Sequence, residues 1–413
     1  MEDFVYRDGK LYCEDLPLDE LADSVGTPCY VYSKRALVRA YTEFDQAFAA
    51  VDHKIFFAVK SNPSLAVLKL LADRGAGMDI VSAGELYRAL KAGVPGERIV
   101  YSGVGKSPEE IRYALESGIL CFNVESLPEL AAIDQIADRL GTVAKVSLRI
   151  NPDVESNTHE YTSTGTKETK FGISYDSALD CYRELRKFQN LKAYGIDTHI
   201  GSQVTELEPF VLAVKRLAEL FVRLTEDGFL LEVIDIGGGL GIRYHDESPP
   251  SLAEYAEALL PILKPLSCRV ILEPGRYISG PAGLLLTRMI YFKETGVRNF
   301  AVVDAGMNDL LRPSLYDAYH QVLPVLESSG KTVKMDVVGP ICETGDWLAK
   351  DRLLPRLDQG DLLALLSAGA YSFTMSSNYN SRPRGAEVLV DGSRHRIVRR
   401  AETFEDLVRG EEL

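Results

Sequence analysis

The hydrophobic positions between residues 54 and 276 recur in a regular rhythm. Short apolar runs alternate with turns and with stretches of helical periodicity. Continuous apolar runs of this kind are typical of parallel strands that are buried on both faces. The eight runs are 55–60, 77–82, 98–103, 121–126, 144–151, 193–202, 233–239 and 269–276. Eight strand–helix units in succession predict a (β/α)8 barrel, which typically takes about 250 residues, with a doubly wound parallel sheet as the alternative.

The rhythm changes after residue 280. Six further β-prone runs follow without regular helices between them, and Asp391-Gly392 indicates a hairpin turn. Asp8-Gly9 lies between two short β-prone runs near the start of the chain. The predicted fold class is therefore α/β, a TIM-like barrel plus a C-terminal β domain that also takes in the N-terminal segment. We expect residues 1–30 to join a β domain at 281–413, with the barrel at 31–280.

Composition narrows the class of protein. The chain has 413 residues and a net charge of −14, which argues against sequence-independent nucleic-acid binding, since phosphate neutralisation needs clustered cations. No stretch is long and apolar enough to span a membrane, and the acidic N-terminal residues do not match a secretory signal. The six cysteines are scattered without metal-ligand spacing. We expect a cytoplasmic enzyme with reduced thiols and no metal site.

Chemistry-bearing residues stand at the ends of the predicted strands. The first run closes with FFAVKSNP, in which Lys60 either extends its ammonium to water or acts as a nucleophile. His199 follows the sixth run, glycines 237–239 follow the seventh, and Glu273 and Gly275-Arg276 follow the eighth. Barrel enzymes place their active sites at these strand ends, and the loops after strands seven and eight commonly bind phosphate. These residues are therefore expected to share one site.

One cofactor uses all of these groups. The aldehyde of pyridoxal phosphate takes a lysine such as Lys60, and its ring nitrogen is tuned by a partner acid such as Glu273. His199 can stack on a flat ring, and Ser202 and the glycine loop suit a phosphate. The sequence therefore predicts a pyridoxal 5'-phosphate enzyme, and a nucleophilic role for Lys60 is favoured over simple exposure to water.

The motifs FAVKSNP, HIGSQ, IDIGGGLG and EPGR resemble the fold-type III pyridoxal-phosphate decarboxylases, which pair a barrel with a β domain. The longer segments DAGMNDLLRPSLYDAYH, CETGDWLAKDR and GAYSFTMSSNYNSRPRGAEVLV resemble the diaminopimelate decarboxylases in particular. The resemblance covers nearly the whole chain. It implies decarboxylation of meso-2,6-diaminopimelate at its D centre to give L-lysine and CO2, the last step of lysine biosynthesis.

The resemblance also implies a role for each site residue. Lys60 would hold the cofactor covalently, His199 would stack on its ring, and Glu273 would pair with the pyridine nitrogen. The implied cofactor-binding set is Lys60, His199, Ser202, Gly238, Gly239, Glu273, Gly275, Arg276 and Tyr371. The implied substrate-binding set is Arg276, Arg312, Tyr316, Glu343 and Tyr371. Cys342 would donate a proton, and with Glu343 it would come from the partner subunit of a homodimer.

Several alternatives stay open. The chain could decarboxylate another basic amino acid, such as ornithine, arginine or a D-amino acid, or it could be an inactive relative that acts as a regulatory binding protein. A cofactor-free barrel isomerase is a further alternative. Two arginines, Arg276 and Arg312, favour diaminopimelate, because ornithine has no carboxylate at its far end and would leave them without a partner. The polar segment 156–169 is interpreted as a lid or as a plain surface loop.

Overall fold

The computed structural model describes residues 3–155, 164–165, 169–328 and 330–413. Most of the segment 156–169, interpreted above as a lid or a surface loop, lies outside the described residues. The chain divides into two compact units. One unit comprises Met1–Arg39, Arg243–Glu247 and Ile278–Leu413, and the other comprises Ala40–Ile242 and Ser248–Tyr277. No helix among the described residues is long and apolar enough to cross a membrane.

The first elements of the chain form a small antiparallel sheet. Its strands are β1 (Phe4–Arg7), β2 (Lys10–Cys13) and β3 (Leu16–Pro17), followed by α1 (Leu18–Val25), β4 (Cys29–Ser33) and α2 (Lys34–Ala47). Asp8 and Gly9 both have positive φ, 49° and 75°, between the paired strands β1 and β2. A turn of this kind matches the twist of a hairpin, so the hairpin predicted from Asp8-Gly9 is confirmed.

The barrel unit follows. Its elements in chain order are β5 (His53–Ala58), α3 (Leu65–Ala72), β6 (Gly77–Ile80), α4 (Ala83–Lys91), β7 (Ile99–Tyr101), α5 (Pro108–Glu116), β8 (Cys121–Val124), α6 (Leu127–Leu140), β9 (Ala144–Asn151), β10 (Ile173–Ser174), α7 (Ala178–Leu185), β11 (Leu191–Asp197), α8 (Glu208–Glu226), β12 (Val233–Asp235), α9 (Leu252–Leu263), β13 (Arg269–Leu272) and α10 (Arg276–Ser279).

The sheet of this unit is parallel and closed. Its strands lie in the order β9, β11, β12, β13, β5, β6, β7, β8, and β8 pairs with β9 to complete the ring, while β10 adds to β9 outside it. All eight predicted strands are present, and the predicted (β/α)8 barrel is confirmed. The closing pair β8–β9 excludes the doubly wound alternative, whose sheet would have two open edges.

The strands end earlier than the apolar runs. The sixth run extends to residue 202, but β11 ends at Asp197, and the seventh extends to 239, but β12 ends at Asp235. Gly237 has φ +68°, which leaves the extended region and explains the early end of β12. The consequence is that the chemistry-bearing residues lie in loops at the C-terminal rim, where backbone geometry is irregular.

The remaining elements build a mixed β-sheet. They are β14 (Gly283–Glu294), β15 (Asn299–Val303), α11 (Arg312–Tyr316), β16 (Val322–Pro324), β17 (Thr332–Val338), β18 (Trp347–Pro355), β19 (Leu362–Leu365), β20 (Ala386–Asp391), β21 (Arg394–Arg399) and α12 (Phe404–Leu407). The main order is β18, β17, β15, β14, β4, β20, β21, and β19 pairs with both β14 and β16.

The N-terminal segment joins this sheet through one strand. β4 lies between β14 and β20, as expected for a β domain that takes in the N-terminal segment. The hairpin of β1 and β2 stays in its own sheet, but Phe4 and Leu11 pack in the same hydrophobic core as Leu284 and Val388. The turn at Asp391-Gly392 connects β20 to β21, which confirms the second predicted hairpin.

Candidate active site

Lys60 is held by a buried carboxylate. It lies in a short three-ten turn, Val59–Ser61, directly after β5, and its Nζ is 2.6 Å from Oδ2 of Asp79 in β6. The Lys60 side chain is 31% exposed, whereas Asp79 is fully buried. A lysine that simply extends to water would not need a buried partner. The geometry instead fixes the amine at the rim of the barrel.

His199 follows β11 and is oriented by two hydrogen bonds. The Gly238 N–H donates to Nδ1 over 3.2 Å, and Thr164 Oγ1 donates to the His199 carbonyl over 2.8 Å. Burial, together with the charges of Arg149 and Lys60, lowers the pKa of His199 well below its ordinary value. Since Nδ1 accepts a hydrogen bond, the neutral ring carries its proton on Nε2. His199 thus presents an uncharged, flat ring.

The glycine loop after β12 packs by backbone contact. A Cβ atom at Gly237 would lie 2.4 Å from the Thr198 carbonyl oxygen, one at Gly238 would lie 2.1 Å from that of Glu273, and one at Gly239 would lie 2.3 Å from that of Gly201. These distances are far below ordinary carbon–oxygen contacts, so no larger residue fits here. The loop therefore lies directly against the loops after β11 and β13, and it forms a narrow cradle lined by backbone.

Ser202 and Arg276 lie next to each other. Arg276 Nη2 donates to Ser202 Oγ over 2.9 Å, and Arg276 is buried. A Cβ at the preceding Gly275 would lie 3.0 Å from atoms of Ala58 and Ser61. This loop therefore packs directly against the end of β5. A guanidinium, a hydroxyl and a glycine loop together are the donor set that a phosphate group prefers.

Three buried carboxylates lie close together beneath the rim. Oxygen atoms of Asp197, Asp235 and Glu273 are all within 4.8 Å of one another, a spacing that could hold a metal ion. Asn123 Nδ2 lies 3.5 Å from Asp235 Oδ2 and 3.4 Å from Glu273 Oε1. Burial raises the pKa of Glu273 well above its ordinary value, with a further contribution from Asp235, and raises that of Asp235 to about 6. Burial therefore favours bound protons in this cluster over three adjacent negative charges.

A buried ion pair supports the His199 loop. Arg149 Nη1 is 2.9 Å from Glu125 Oε1, with side chains only 8% and 3% exposed. The other Glu125 oxygen accepts the Gly172 N–H over 2.7 Å, and Arg149 Nη2 lies 3.5 Å from the His199 carbonyl oxygen. Both charges are thus satisfied by fixed partners, which makes the pair a rigid support.

Several of these partners were not predicted from the sequence. Asp79, Asn123, Arg149 and Asp235 lie inside apolar strand runs. A polar residue within a run that is buried on both faces is the signal that would have found them, because such a group requires a hydrogen-bonding partner.

The remaining five predicted site residues lie in the compact unit that contains the mixed β-sheet. Arg312 and Tyr316 begin and end α11, and their spacing of four places them on one helix face. Cys342 and Glu343 lie on an exposed loop between β17 and β18, where the Cys342 N–H donates to Asn380 Oδ1 and Glu343 Oε2 accepts from Tyr379 Oη over 2.6 Å. Tyr371 is a partly buried residue with φ +55°.

The residues of the barrel rim fit pyridoxal phosphate. Lys60 offers an amine, Glu273 is a buried acid whose pKa is raised, His199 is a neutral flat ring, and Ser202 and Arg276 belong to the two loops that pack against the glycine cradle. A lysine, an acid and an anion cradle at the C-terminal ends of barrel strands define the class of barrel enzymes that use this cofactor.

Comparisons with known proteins support this class of enzyme. Residues 34–280 match the family model of the pyridoxal-binding domain of pyridoxal-dependent decarboxylases. The chain is 50% identical to diaminopimelate decarboxylase of Neisseria meningitidis serogroup B over 97% of both chains, and 50% identical to that of Pseudomonas aeruginosa over 100% and 99%. The chain belongs to the diaminopimelate decarboxylases, a fold-type III family of pyridoxal-phosphate enzymes.

Solved structures show the same architecture. The diaminopimelate decarboxylase of Helicobacter pylori complexed with L-lysine is 42% identical, with a TM-score of 0.92 over 95% of this chain and 98% of that one. The diaminopimelate decarboxylase of M. jannaschii in complex with L-lysine is 35% identical, with a TM-score of 0.95 over 100% and 98%.

Proposed function

We propose that this chain removes CO2 from the D centre of meso-2,6-diaminopimelate and releases L-lysine. The observation that carries the proposal is the set Lys60, His199 and Glu273 at the barrel rim of a chain that is half identical, over its full length, to diaminopimelate decarboxylases. The two similar solved decarboxylases contain L-lysine, the product of this reaction.

The cofactor would be held by the residues predicted to bind it. We assign the covalent attachment to Lys60, the ring contacts to His199 and Glu273, and the phosphate to Ser202, Arg276 and Tyr371 with backbone groups of Gly238, Gly239 and Gly275. When bound, pyridoxal phosphate supplies an electron sink that accepts the electrons left behind by the departing CO2.

Lys60 has to lose a proton before it can act as a nucleophile. The Asp79 carboxylate, 2.6 Å away, orients the ammonium and is placed to take that proton. Lys60 would hold the cofactor through its amine when no substrate is bound, and its amine would be free while the substrate occupies the site. Asp79 would then keep the free lysine at the rim, so it would not have to be recaptured from solvent.

The surroundings of Glu273 suit its proposed role. Burial and the neighbouring Asp235 raise its pKa, which favours a proton on the buried carboxyl group. With the cofactor bound, Glu273 would share its proton with the pyridine nitrogen, and the carboxylate would gain a cationic partner in addition to its acidic neighbours Asp235 and Asp197. Asn123 holds one Glu273 oxygen and so limits how the carboxyl group can turn.

The far end of diaminopimelate carries one carboxylate and one ammonium. We assign the carboxylate to Arg276, Arg312 and Tyr316, because planar guanidinium groups match a carboxylate with paired hydrogen bonds. We assign the ammonium to Glu343, with Tyr371 beside the substrate. Ornithine and arginine lack the far carboxylate, and buried donors left without a partner penalise such substrates strongly.

Cys342 is assigned the proton that replaces CO2 on the α-carbon. We propose that Cys342 and Glu343 enter the site from the partner subunit of a homodimer. Both residues lie on an exposed loop of this chain, which suits residues that serve a neighbour. All six cysteines are free thiols, which supports a cytoplasmic location for the enzyme.

The direct test measures CO2 and L-lysine formed from meso-diaminopimelate with and without added pyridoxal phosphate, with ornithine, arginine and D-lysine in parallel. We expect both products only from diaminopimelate, and an absorbance band of the bound cofactor that Lys60→Ala removes. Comparable release from ornithine or arginine would instead support a different basic amino acid as substrate. A normal cofactor band without turnover of any substrate would support an inactive relative.

A further inference from the structure

A buried histidine binds the side chain of Arg312. His320 is fully buried, and Arg312 Nη1 lies 2.8 Å from His320 Nε2. The other ring nitrogen, Nδ1, lies 2.7 Å from the Leu366 carbonyl oxygen. Both partners belong to the same compact unit as His320. The imidazole thus connects a main-chain group of the sheet to the arginine side chain.

The two partners determine the tautomer of His320. A carbonyl oxygen can only accept a hydrogen bond, so Nδ1 carries the proton, and a guanidinium can only donate, so Nε2 is the bare acceptor. The ring is therefore neutral in this arrangement. A buried arginine bonded to a neutral acceptor keeps its full positive charge, whereas a carboxylate partner in the same place would neutralise it.

An aromatic ring fixes the guanidinium from a second direction. The guanidinium carbon of Arg312 lies 4.4 Å from the centroid of the Tyr244 ring. Tyr244 also meets His320 edge to face, with centroids 5.3 Å apart and planes at 77°. A cation over an aromatic face is attracted to it without losing charge. His320 and Tyr244 therefore constrain both the position and the plane of the arginine.

The backbone around His320 is itself held by the sheet. The Leu366 N–H donates to the carbonyl of Gln321 over 2.9 Å, next to the paired strands β16 and β19. Arg352 Nη2 donates to the His320 carbonyl over 3.2 Å. The histidine is thus a fixed point of the fold, in contrast to a side chain that could follow the arginine if it moved.

From this geometry we infer that His320 is a positioning residue that presents Arg312 to the carboxylate at the far end of the substrate. The inference rests on the proposed function, which assigns that carboxylate to Arg312. A neutral acceptor on one edge of the guanidinium fixes its plane and preserves the charge that selects a carboxylate. His320 would thereby favour substrates and products with a carboxylate at that end over simple amines.

Two substitutions separate positioning from packing. His320→Asn keeps a donor near Nδ1 for the Leu366 carbonyl but loses the acceptor for Arg312, whereas the longer His320→Gln can place its carbonyl oxygen near the Nε2 position. His395, an exposed histidine 3.4 Å from Ser24 Oγ, provides the matched control His395→Asn. Binding to the holoenzyme is measured by calorimetry with L-lysine and with 1,5-diaminopentane, which has the same amines but no carboxylate.

For H320N we expect L-lysine binding to weaken by about tenfold, the usual effect of losing a hydrogen bond to a charged group. The KM for diaminopimelate should rise by a similar factor, while kcat changes by less than about threefold, because uniform binding is lost and not transition-state stabilisation. H320Q should recover most of the lost affinity. Binding of 1,5-diaminopentane should be the same in all variants, and H395N should match the wild type.

Arg312→Gln separates failure of this inference from failure of the proposed function. If R312Q leaves L-lysine affinity unchanged, the assignment of the far carboxylate to Arg312 is wrong. If R312Q weakens L-lysine binding but H320N does not, the role of His320 is wrong. Equal losses in H320N and H320Q for both ligands, with a lower melting temperature, would show that His320 only supports packing and would also overturn the inference.

Discussion

Lys60 and Asp79 form an ion pair across two neighbouring strands of the barrel. Ala58, the last residue of β5, pairs with Asp79 in β6, and Lys60 lies two residues further along. This offset lets the lysine side chain fold back over the strand end and reach the carboxylate at 2.6 Å. The register of two parallel strands thus determines where the amine is held before it meets the cofactor.

Replacing Asp79 should slow covalent attachment of the cofactor. We expect Asp79→Asn to reduce the attachment rate by about tenfold or more, because the neutral amide no longer takes the lysine proton. The measurement is the rise of the cofactor absorbance band after pyridoxal phosphate is mixed with cofactor-free protein. Asp73→Asn removes the carboxylate of the exposed Lys69–Asp73 pair and is the matched control. An unchanged rate in Asp79→Asn would show that Lys60 does not depend on this partner.

His199 should stay neutral under mildly acidic conditions. At pH 6 about three quarters of ordinary histidine side chains are protonated, given their usual pKa near 6.5. Burial and two nearby cations lower the pKa of His199 well below that value, so its signal should remain that of the neutral tautomer with the proton on Nε2. Nitrogen-15 spectroscopy of labelled protein tests this, and His199→Asn identifies the signal. An imidazolium signal at pH 6 would contradict the prediction.

The buried acid cluster should make the cofactor-free protein less stable as the pH rises. Asp235 has a pKa of about 6 in the folded protein, above the value of about 3.9 for an unperturbed aspartate. The folded state therefore holds a proton that the unfolded state has lost, and this contribution is complete below pH 4 and disappears as the pH rises through about 6. It amounts to about 3 kcal/mol.

Asp235→Asn should remove this part of the pH dependence. Melting temperatures are measured for both cofactor-free proteins between pH 4 and pH 8. As the pH rises through about 6, the melting temperature of the wild type should fall more steeply than that of the variant. Asp246→Asn, at a side chain that is 86% exposed, should leave the slope unchanged. Parallel curves for Asp235→Asn and the wild type would show that the cluster does not hold the proton at Asp235.

Gly238 should not tolerate even an alanine. Its Cβ would lie 2.1 Å from the Glu273 carbonyl oxygen, whereas a Cβ at Gly105 meets no atom within 4 Å. Neither glycine has the positive φ that would strain alanine by itself. Comparison of the two alanine variants therefore measures the effect of crowding alone. We expect Gly238→Ala to cost about 1–3 kcal/mol of stability, as overpacking does. Cofactor affinity should fall with it, while Gly105→Ala should match the wild type in melting temperature and in a cofactor titration.

The barrel could be predicted because its strands are buried on both faces and appear as continuous apolar runs. β18 was not predicted, since Trp347–Pro355 includes the exposed residues Lys350, Asp351 and Leu353. It is an edge strand of its sheet, where charged side chains are common and apolar alternation is weak. The hydrophobic pattern reports burial, so it finds central strands and misses this half-exposed edge, whereas the exposed edge strand β21 was found because the turn at Asp391-Gly392 indicates a hairpin.

Prediction of the active site from the sequence is limited in a similar way. Lys60, His199 and Glu273 could be brought together because the ends of parallel strands share one rim. Their partners depend on which strands face each other across the closed barrel, as when Asn123 of β8 meets Glu273 after β13. His320 depends on the pairing of β16 with β19 in the other unit. Such contacts are set by tertiary register, which a single sequence does not encode as a local pattern.

The proposed shared active site predicts that two inactive variants restore each other. Lys60→Ala removes the amine from the barrel, and Cys342→Ala removes the thiol that we assign to the partner's site. In a mixed dimer one site then carries both defects and the other carries none. Random exchange makes half of the dimers mixed, so activity should recover to about a quarter of the wild-type value.

The choice of control makes this result specific. Lys60→Ala mixed with His199→Asn should recover nothing, because both residues lie in the same barrel and each site of the mixed dimer keeps one defect. Exchange of subunits is verified with differently tagged chains, and CO2 release is measured before and after mixing. If exchange occurs and Lys60→Ala with Cys342→Ala stays inactive, then Cys342 serves the barrel of its own chain. Recovery of both mixtures would mean that the defects are corrected without sharing of residues, which contradicts the shared site equally.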